Sequence, residues 1–577
     1  MIKNVVKLSF LFFIGLLLLS RPLCGEQDIQ NIEEWENLLH FSDDESRITS
    51  DSFFLHENGA EDPASELYAT VDLLNSKDGE TIAANYPARY LWLQEQGYSV
   101  PTFDLERFAE LNDYVEAFHK DSLYLVFASE QIDTPASSFG HMLLVFSGDD
   151  SPMLAADTIH FAAETEIAGD NFFKYSFNGL AGNYDSYFFR TPFFIIKNTY
   201  NLEGQRDLHF YKLDLDSERI TFLIYHLYEL RKAKYRYYFL TENCAYQIDA
   251  LLKVAYGPAA NSRNYYFPVV PMDILGEYQK NISEQFVFQA TLKRAQSLFE
   301  EMSTQEKAIY TAVEREDLKL SDDLPDKVKE VLNIEAEYQF RRFGNVSKNY
   351  DETISLQFPH TFYSPPTLPP STGNNKHTFG LGAYKDKNYE GLVLGYQLIG
   401  RDIYELQHDK IQESDIAFFD IKVKLRDYRE LYLQQLDLVR TKAVCNRGRL
   451  SSPAVWSANL GINRQNLSNR AAGNFSLAIG MGYGSDKIGL CCLAGMGIQN
   501  TAREGNVYIN PSIDLLFYPS TTIKTGVSAL KKYCSHGTYS EARIFALHSI
   551  NGFSIIAECS LSNSNVIGNS FSLGLRF

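Results

Sequence analysis

The chain has 577 residues, a formal net charge of −20 and a pI near 5.1. An acidic surface of this size repels phosphate, so a nucleic-acid partner is excluded as the main business of the protein. The length suits two to four domains at about 100–200 residues each.

Residues 1–25 carry Lys3 and Lys7, then the apolar run Leu8 to Leu19, then small residues near Cys24 and Gly25. This pattern predicts a signal peptide and export. A lipoprotein reading competes, but Arg21, Pro22 and Leu23 are not the small residues a lipidation site needs before Cys24. Downstream no apolar stretch reaches the length of a membrane-spanning helix, so any membrane embedding must use strands.

Residues 26–120 read as a helical segment, from the spacing of Tyr90, Leu91 and Leu93 and then of Phe103, Leu105, Phe108 and Leu111. From 121 to 282, short apolar runs (SLYLVFAS, HMLLVFSG, MLAADTIHFAA, LHFYKLDL) precede a helix over 218–231 and another beginning near Asn243, an α+β layout. Residues 283–358 are charged and helix-periodic, and the Pro-rich stretch at 359–377 reads as a linker. Residues 378–577 present about twelve short segments with alternating apolar positions, which predicts an antiparallel β-barrel. Its last segment puts Phe571, Leu573, Leu575 and Phe577 on one face. That face turns outward in an outer-membrane barrel and inward in a soluble β-sandwich, the competing reading.

Two sequence blocks carry chemistry. In residues 139–164, two apolar strands flank the turn at 147–152; centring it on Asp150 and Ser151 sets His141 directly opposite His160. In YYFLTENCAYQIDALLKVAYGP, Thr241 or Asn243 caps a helix whose apolar face holds Cys244, Ile248, Leu251, Leu252 and Ala255, ended by Gly257–Pro258. Cys244 then lies in the first turn, where backbone N–H groups and the helix dipole favour a thiolate and can hold an oxyanion. Cys244 is also the single cysteine between the leader and Cys445. A buried structural thiol and a strand histidine are the plain alternatives. The order His, His, Cys on strand, strand and helix start corresponds to a circularly permuted papain-like arrangement, with nucleophile and base recognised by role.

The blocks SSFGHMLLVF, HFAAE, GQRDLHFYKLDL and YYFLTENCAYQIDALL resemble the periplasmic domain of the Lnb-type bacterial lipoprotein N-acyltransferases, and FFLHENGAEDPASELYATV with NYPARYLWL resembles the segment before it. A more distant similarity is to the permuted papain-like enzymes of the lecithin–retinol acyltransferase group. The resemblance implies a cysteine acyltransferase without a cofactor. Cys244 would be the nucleophile, His141 its general base and His160 the residue orienting His141. Asn243 and Ser138 would be oxyanion or supporting contributors, and Arg206 and Asp207 structural partners. The implied substrates are a phospholipid acyl donor and the N-terminal amine of a lipoprotein, at the periplasmic side of the outer membrane. A thiol hydrolase acting on phospholipid or peptidoglycan, and a non-catalytic barrel protein, remain alternatives. No metal is expected: His141, His160 and Cys244 could mimic a zinc trio but fall short of the usual ligand set.

Overall fold

The computed structural model describes the chain from Ile32 onward, except residues 131–138, 165–171, 261–264, 266, 316, 319–322, 344–362, 365–374, 404–405, 407–413, 444–454, 467, 485–486, 502–504, 536, 551–552 and 565–568. The signal-peptide region and Ser138 therefore lie outside the described residues. Two compact units emerge: residues up to Val115 with Phe222–Tyr235 and Lys253–Ala260, and the remainder.

The first unit is helical, with α1 (Ile32–Leu38), α2 (Pro63–Leu74), α3 (Gly79–Asn85), α4 (Pro87–Glu95) and α5 (Ala109–Glu116). Pro63 at the first position of α2 costs no hydrogen bond, and Asp62 caps that helix through the amides of Ala64 and Ser65. At its centre is a buried ionic cluster. Arg89 bonds Glu66 at 2.8 Å and approaches Glu229 at 3.6 Å, with all three side chains fully buried. His226 continues the chain of contacts to His40 through a 3.1 Å nitrogen–nitrogen contact.

The second unit contains an antiparallel sheet of β1 (Ser122–Ala128), β2 (His141–Ser147), β3 (Asp157–Ala163), β4 (Tyr184–Pro192), β5 (Leu208–Leu213), β6 (Tyr235–Tyr237, shared with the first unit) and β7 (Ile282–Phe288). The spatial order is β7-β5-β1-β2-β3-β4-β6, and Tyr363–Ser364 extends it beyond β7. β1 is buried along its whole length and β2 from Met142 onward, as expected for central strands covered on both faces. Helices α6 (Phe172–Ala181), α7 (Phe193–Ile196), α8 (Ser217–Leu230, of the first unit from Phe222), α9 (Cys244–Tyr256, of the first unit from Lys253) and α10 (Pro271–Tyr278) follow in chain order between the strands, and a π-helical turn occupies Lys197–Glu203. Residues 283–288, expected to open a helical segment, belong instead to a strand: Phe286 and Phe288 pack against the core around Phe210, Val287 is buried as well, and that burial outweighs the polar Ser283, Glu284 and Gln285. The expected helices follow, α11 (Thr291–Glu301), α12 (Thr304–Glu314) and α13 (Asp326–Phe343).

The C-terminal part is a closed antiparallel barrel of twelve strands: β8 (Asn375–Asp386), β9 (Glu390–Arg401), β10 (Ser414–Arg426), β11 (Glu430–Ala443), β12 (Val455–Asn463), β13 (Ala472–Gly484), β14 (Ile488–Asn500), β15 (Gly505–Ile509 and Ser512–Phe517), β16 (Ile523–Cys534), β17 (Gly537–Ile550), β18 (Phe553–Ser562) and β19 (Asn569–Arg576). Both segments of β15 pair with β14, and Pro511, which has no N–H to give, marks the break. β8 pairs with β19 from Gly380↔Arg576 to Asp386↔Ser570, which closes the cylinder.

The side chains point the way a membrane barrel requires. Phe571, Leu573, Leu575 and Phe577 are exposed on the outside, as are Phe475, Leu477, Ile479, Met481 and Tyr483 of β13. The interior is polar: Arg440 contacts Asp420 and Asp437 at 2.8 Å, Asp415 at 3.0 Å and Asp402 at 3.5 Å. A soluble sandwich would bury the first set and expose the second, so that reading is set aside.

Candidate active site

Cys244 opens α9, and the local sequence explains why. Asn243 supplies the cap, its Oδ1 accepting from the amides of Ala245 (3.0 Å) and Tyr246 (3.3 Å). Its Nδ2 donates to the carbonyls of Phe239 (3.1 Å) and Val269 (2.8 Å), so the side chain is fully occupied in holding the helix start. The Asn243 side chain thus positions the helix start, with no side-chain donor left for an oxyanion.

His141 begins β2. Gly140 before it adopts φ +92, and a Cβ there would lie 2.2 Å from the Phe127 ring, so only glycine lets the chain enter β2 at this angle. The β2–β3 ladder ends at Leu143↔His160. Beyond that point the Met142 amide and the Tyr237 hydroxyl favour the charged form of Cys244. The nucleophile candidate therefore feels the residue next to the base candidate.

The register corrects one expectation. His160 lies opposite Leu143, not His141, because the connection after Ser147 folds a short 3₁₀ turn at Met153–Ala155 and shifts the pairing by two residues. The two imidazoles become diagonal neighbours on one face, ring centroids 6.4 Å apart at 69°. His160 Nε2 meets Thr191 Oγ1 at 3.1 Å, and its Nδ1 is buried with no hydrogen-bond partner, so it does not orient His141 through a hydrogen bond. Tyr200 takes that place by stacking on His141, centroids 5.4 Å apart and nearly parallel at 15°. His141 Nε2 is buried and has no hydrogen-bond partner among the described residues, which leaves it available as a proton acceptor.

Arg206 and Asp207 do not pair with each other. Arg206 donates to the carbonyls of Ala128 (2.9 Å) and Ser129 at the end of β1, and its guanidinium lies 4.9 Å from the Tyr200 ring centre. Its charge reaches both His141 and Cys244. Asp207 pairs with Lys293 at 2.6 Å and accepts from the Ala290 amide. Burial alone would raise its carboxyl, but Lys293 and His209 hold it below the usual range.

The electrostatics describe a neutral resting pair. Burial pushes the Cys244 thiol above its ordinary value of 9.0, against the Met142 amide, the Tyr237 hydroxyl and the Arg206 charge. Burial, aided by His160 and Arg206, holds the His141 imidazole well below 6.5. Burial lowers His160 to about 4 and raises Tyr200 to about 12. With both groups neutral at rest, a thiol here could be activated by general base catalysis at the moment of attack, in place of a stored thiolate–imidazolium pair. Alkylation of Cys244 by iodoacetamide, followed on its own peptide by mass spectrometry, should therefore climb with pH through and past 9. A plateau at neutral pH would show a stored thiolate and refute this picture.

Sequence reasoning missed Tyr200 and Tyr237. It also missed Gln247, fully buried one turn along α9 from Cys244, with both ends of its amide unpartnered among the described residues. A buried amide without partners costs about 1–3 kcal/mol, an expense more readily explained beside a reacting group than in a core. Among the described residues, no group of three or more His, Cys, Asp or Glu side chains is placed to hold a metal ion.

Residues 110–280 match the Lnb N-terminal periplasmic domain. That span holds Cys244, His141, His160, Tyr200, Arg206 and Tyr237. Residues 27–96 and 367–554 match two domain families described as of unknown function, DUF7843 and DUF7840. No curated protein matches the chain. Among solved structures, the KdgM porin aligns over 35% of this chain and 98% of its own at 6% identity and a TM-score of 0.23. OmpT, an outer membrane protein of Vibrio cholerae, aligns over 35% and 95% at 7% identity and 0.20. The translocator domain of the autotransporter NalP from Neisseria meningitidis aligns over 35% and 86% at 12% identity and 0.20. The Lnb-matched region and the outward apolar band of the barrel place the protein in the periplasm and outer membrane.

Proposed function

We propose that the protein is a thiol acyltransferase that passes a lipid acyl chain through a thioester on Cys244 to the N-terminal amine of a lipoprotein. The observation that carries the proposal is a buried thiol at a helix N-terminus whose charge is favoured by the Met142 backbone amide, with the preceding residue, His141, holding a buried Nε2 that has no hydrogen-bond partner among the described residues. In the first step His141 accepts the thiol proton as Sγ attacks the ester carbonyl. The tetrahedral oxyanion collapses, the carbon–oxygen bond breaks, and the lysolipid alcohol leaves with the proton from His141. In the second step the amine attacks the thioester, the Cys244 thiolate leaves, and the amine's proton returns through His141 to sulfur. Two easier steps replace one difficult one, and the thioester keeps its reactivity toward an amine. Arg206 stabilises negative charge on sulfur during both steps. The low solvent exposure of Cys244, 4%, supports transfer over hydrolysis, because water must be kept from the thioester.

The test is mass spectrometry of the Cys244 peptide after incubation of the reconstituted protein with phospholipid. The wild type should gain one acyl mass there and Cys244→Ala should not. Adding a diacylglyceryl-cysteine peptide should discharge the adduct into N-acylated peptide. Discharge by water alone would make the protein a hydrolase, and absence of any adduct would reject the thiol reading.

A further inference from the structure

We propose that the periplasmic rim of the barrel is part of the active-site framework, with Phe418 and Arg401 as positioning residues for His141 and Cys244. The inference deepens the thiol acyltransferase reading and rests on it for the roles of those two residues. Both residues hang from segments that end on the rim.

On the His141 side, Phe139 packs its ring 5.3 Å from that of Phe418 near the start of β10. Only Gly140 separates Phe139 from His141, and the crowding of Gly140 against Phe127 and Ala128 leaves that link no slack. Glu130, just beyond the other end of the 131–138 connection, forms a 3.1 Å ion pair with Arg401 at the end of β9, the two side chains 11% and 8% exposed. The connection from β1 to His141 is thus tied to the rim on both flanks.

On the Cys244 side, the Asn243 amide that fixes the helix start donates to the Val269 carbonyl, and the Val269 amide donates to the Leu240 carbonyl. Leu240 and Val270 belong to the same apolar cluster as Phe139, Ile399 and Phe418. Lys376, at the start of β8, anchors the next stretch through Asp273 at 2.7 Å and the Pro268 carbonyl at 3.2 Å. Strand ends of a closed barrel are rigid, and thiol chemistry depends on the relative position of sulfur and imidazole, so a rim holding both segments sets that position. Catalytic competence is thereby coupled to completion of the barrel: the site reaches its working geometry when β8, β9 and β10 are closed into the cylinder.

The experiment uses the full chain in phospholipid vesicles, comparing wild type with Phe418→Ala, Phe418→Leu, Arg401→Met and Phe139→Ala. Heat-modifiable migration reports the folded barrel. The rate of acyl-adduct formation and the pH profile of Cys244 alkylation report the site. With the barrel band unchanged, Phe418→Ala and Phe139→Ala should slow adduct formation by about tenfold or more and move the alkylation profile toward that of an ordinary thiol, with Phe418→Leu recovering most of the loss. Arg401→Met should act in the same direction. An unchanged adduct rate and alkylation profile in variants with a folded barrel would overturn the proposal. Phe139→Ala leaves every barrel residue in place, so it decides the matter if the rim substitutions prevent barrel folding. If the wild type forms no adduct, the acyltransferase reading fails, whereas the alkylation profiles still judge whether the rim positions Cys244.

Discussion

Replacing His141 with alanine should slow acylation of Cys244 by about 10²–10⁴-fold, the usual worth of a positioned general base. The size of the effect follows from the buried thiol, whose proton is held more tightly than that of a free cysteine, so little nucleophile exists without a base. The measurement is the time course of the acyl mass on the Cys244 peptide in vesicle-reconstituted protein, with and without added imidazole. Imidazole should restore part of the rate to His141→Ala and none to Cys244→Ala. A His141→Ala protein with a folded barrel and a wild-type time course would remove His141 from the chemistry. His160→Ala should cost far less, since its nitrogens face Thr191 and a buried space and do not bond the base.

The second large effect concerns stability. Arg89→Leu should destabilise the helical unit by about 3–5 kcal/mol, because it leaves Glu66 and Glu229 as buried carboxylates without their cation. Arg89 also donates from its backbone amide to Glu229 at 2.9 Å and from its guanidinium to the Phe53 carbonyl at 3.1 Å, while Glu66 accepts from the amides of Leu55 and His56. The residue therefore joins three segments distant in sequence. Trp35 and Trp92, with rings 5.3 Å apart in this unit, provide a fluorescence signal for urea unfolding. A midpoint equal to that of the wild type would show that the cluster is dispensable. The double change Glu66→Gln with Arg89→Leu should recover part of the loss, because one of the stranded charges is removed.

Legibility in the sequence followed the range of the interactions concerned. The alternation of Phe571, Leu573, Leu575 and Phe577 is a local property of one strand, and it predicts the outward face directly. The helix start at Cys244 was equally local, since Asn243 caps it within three residues. The opposition of His141 and His160 depended on how many residues the intervening loop absorbs, and the 3₁₀ turn at Met153–Ala155 absorbs a different number from a tight hairpin. Tyr200 was invisible because it reaches His141 from a π-helical turn with no sequence signature. The strand at Ile282–Phe288 is hard to read because only its last three residues are buried, and the core that takes Phe286 and Phe288 is assembled from β1, β2 and β5 far upstream. Arg206 is legible as a residue worth noting, whereas its bonds to the carbonyls of Ala128 and Ser129 are a matter of tertiary structure.

The seam between β8 and β19 has a consequence for biogenesis. Gly380 pairs with Arg576, so the contact that seals the cylinder joins positions almost two hundred residues apart and spans the entire barrel sequence. Such a distant pairing is slow to form and is made after the neighbouring hairpins that lead up to it. A chain whose barrel is still open would therefore carry its cysteine-bearing domain before the barrel rim is complete. If Cys244 acylates lipids and depends on the rim as proposed, a late seam would keep the thiol idle until the barrel is complete.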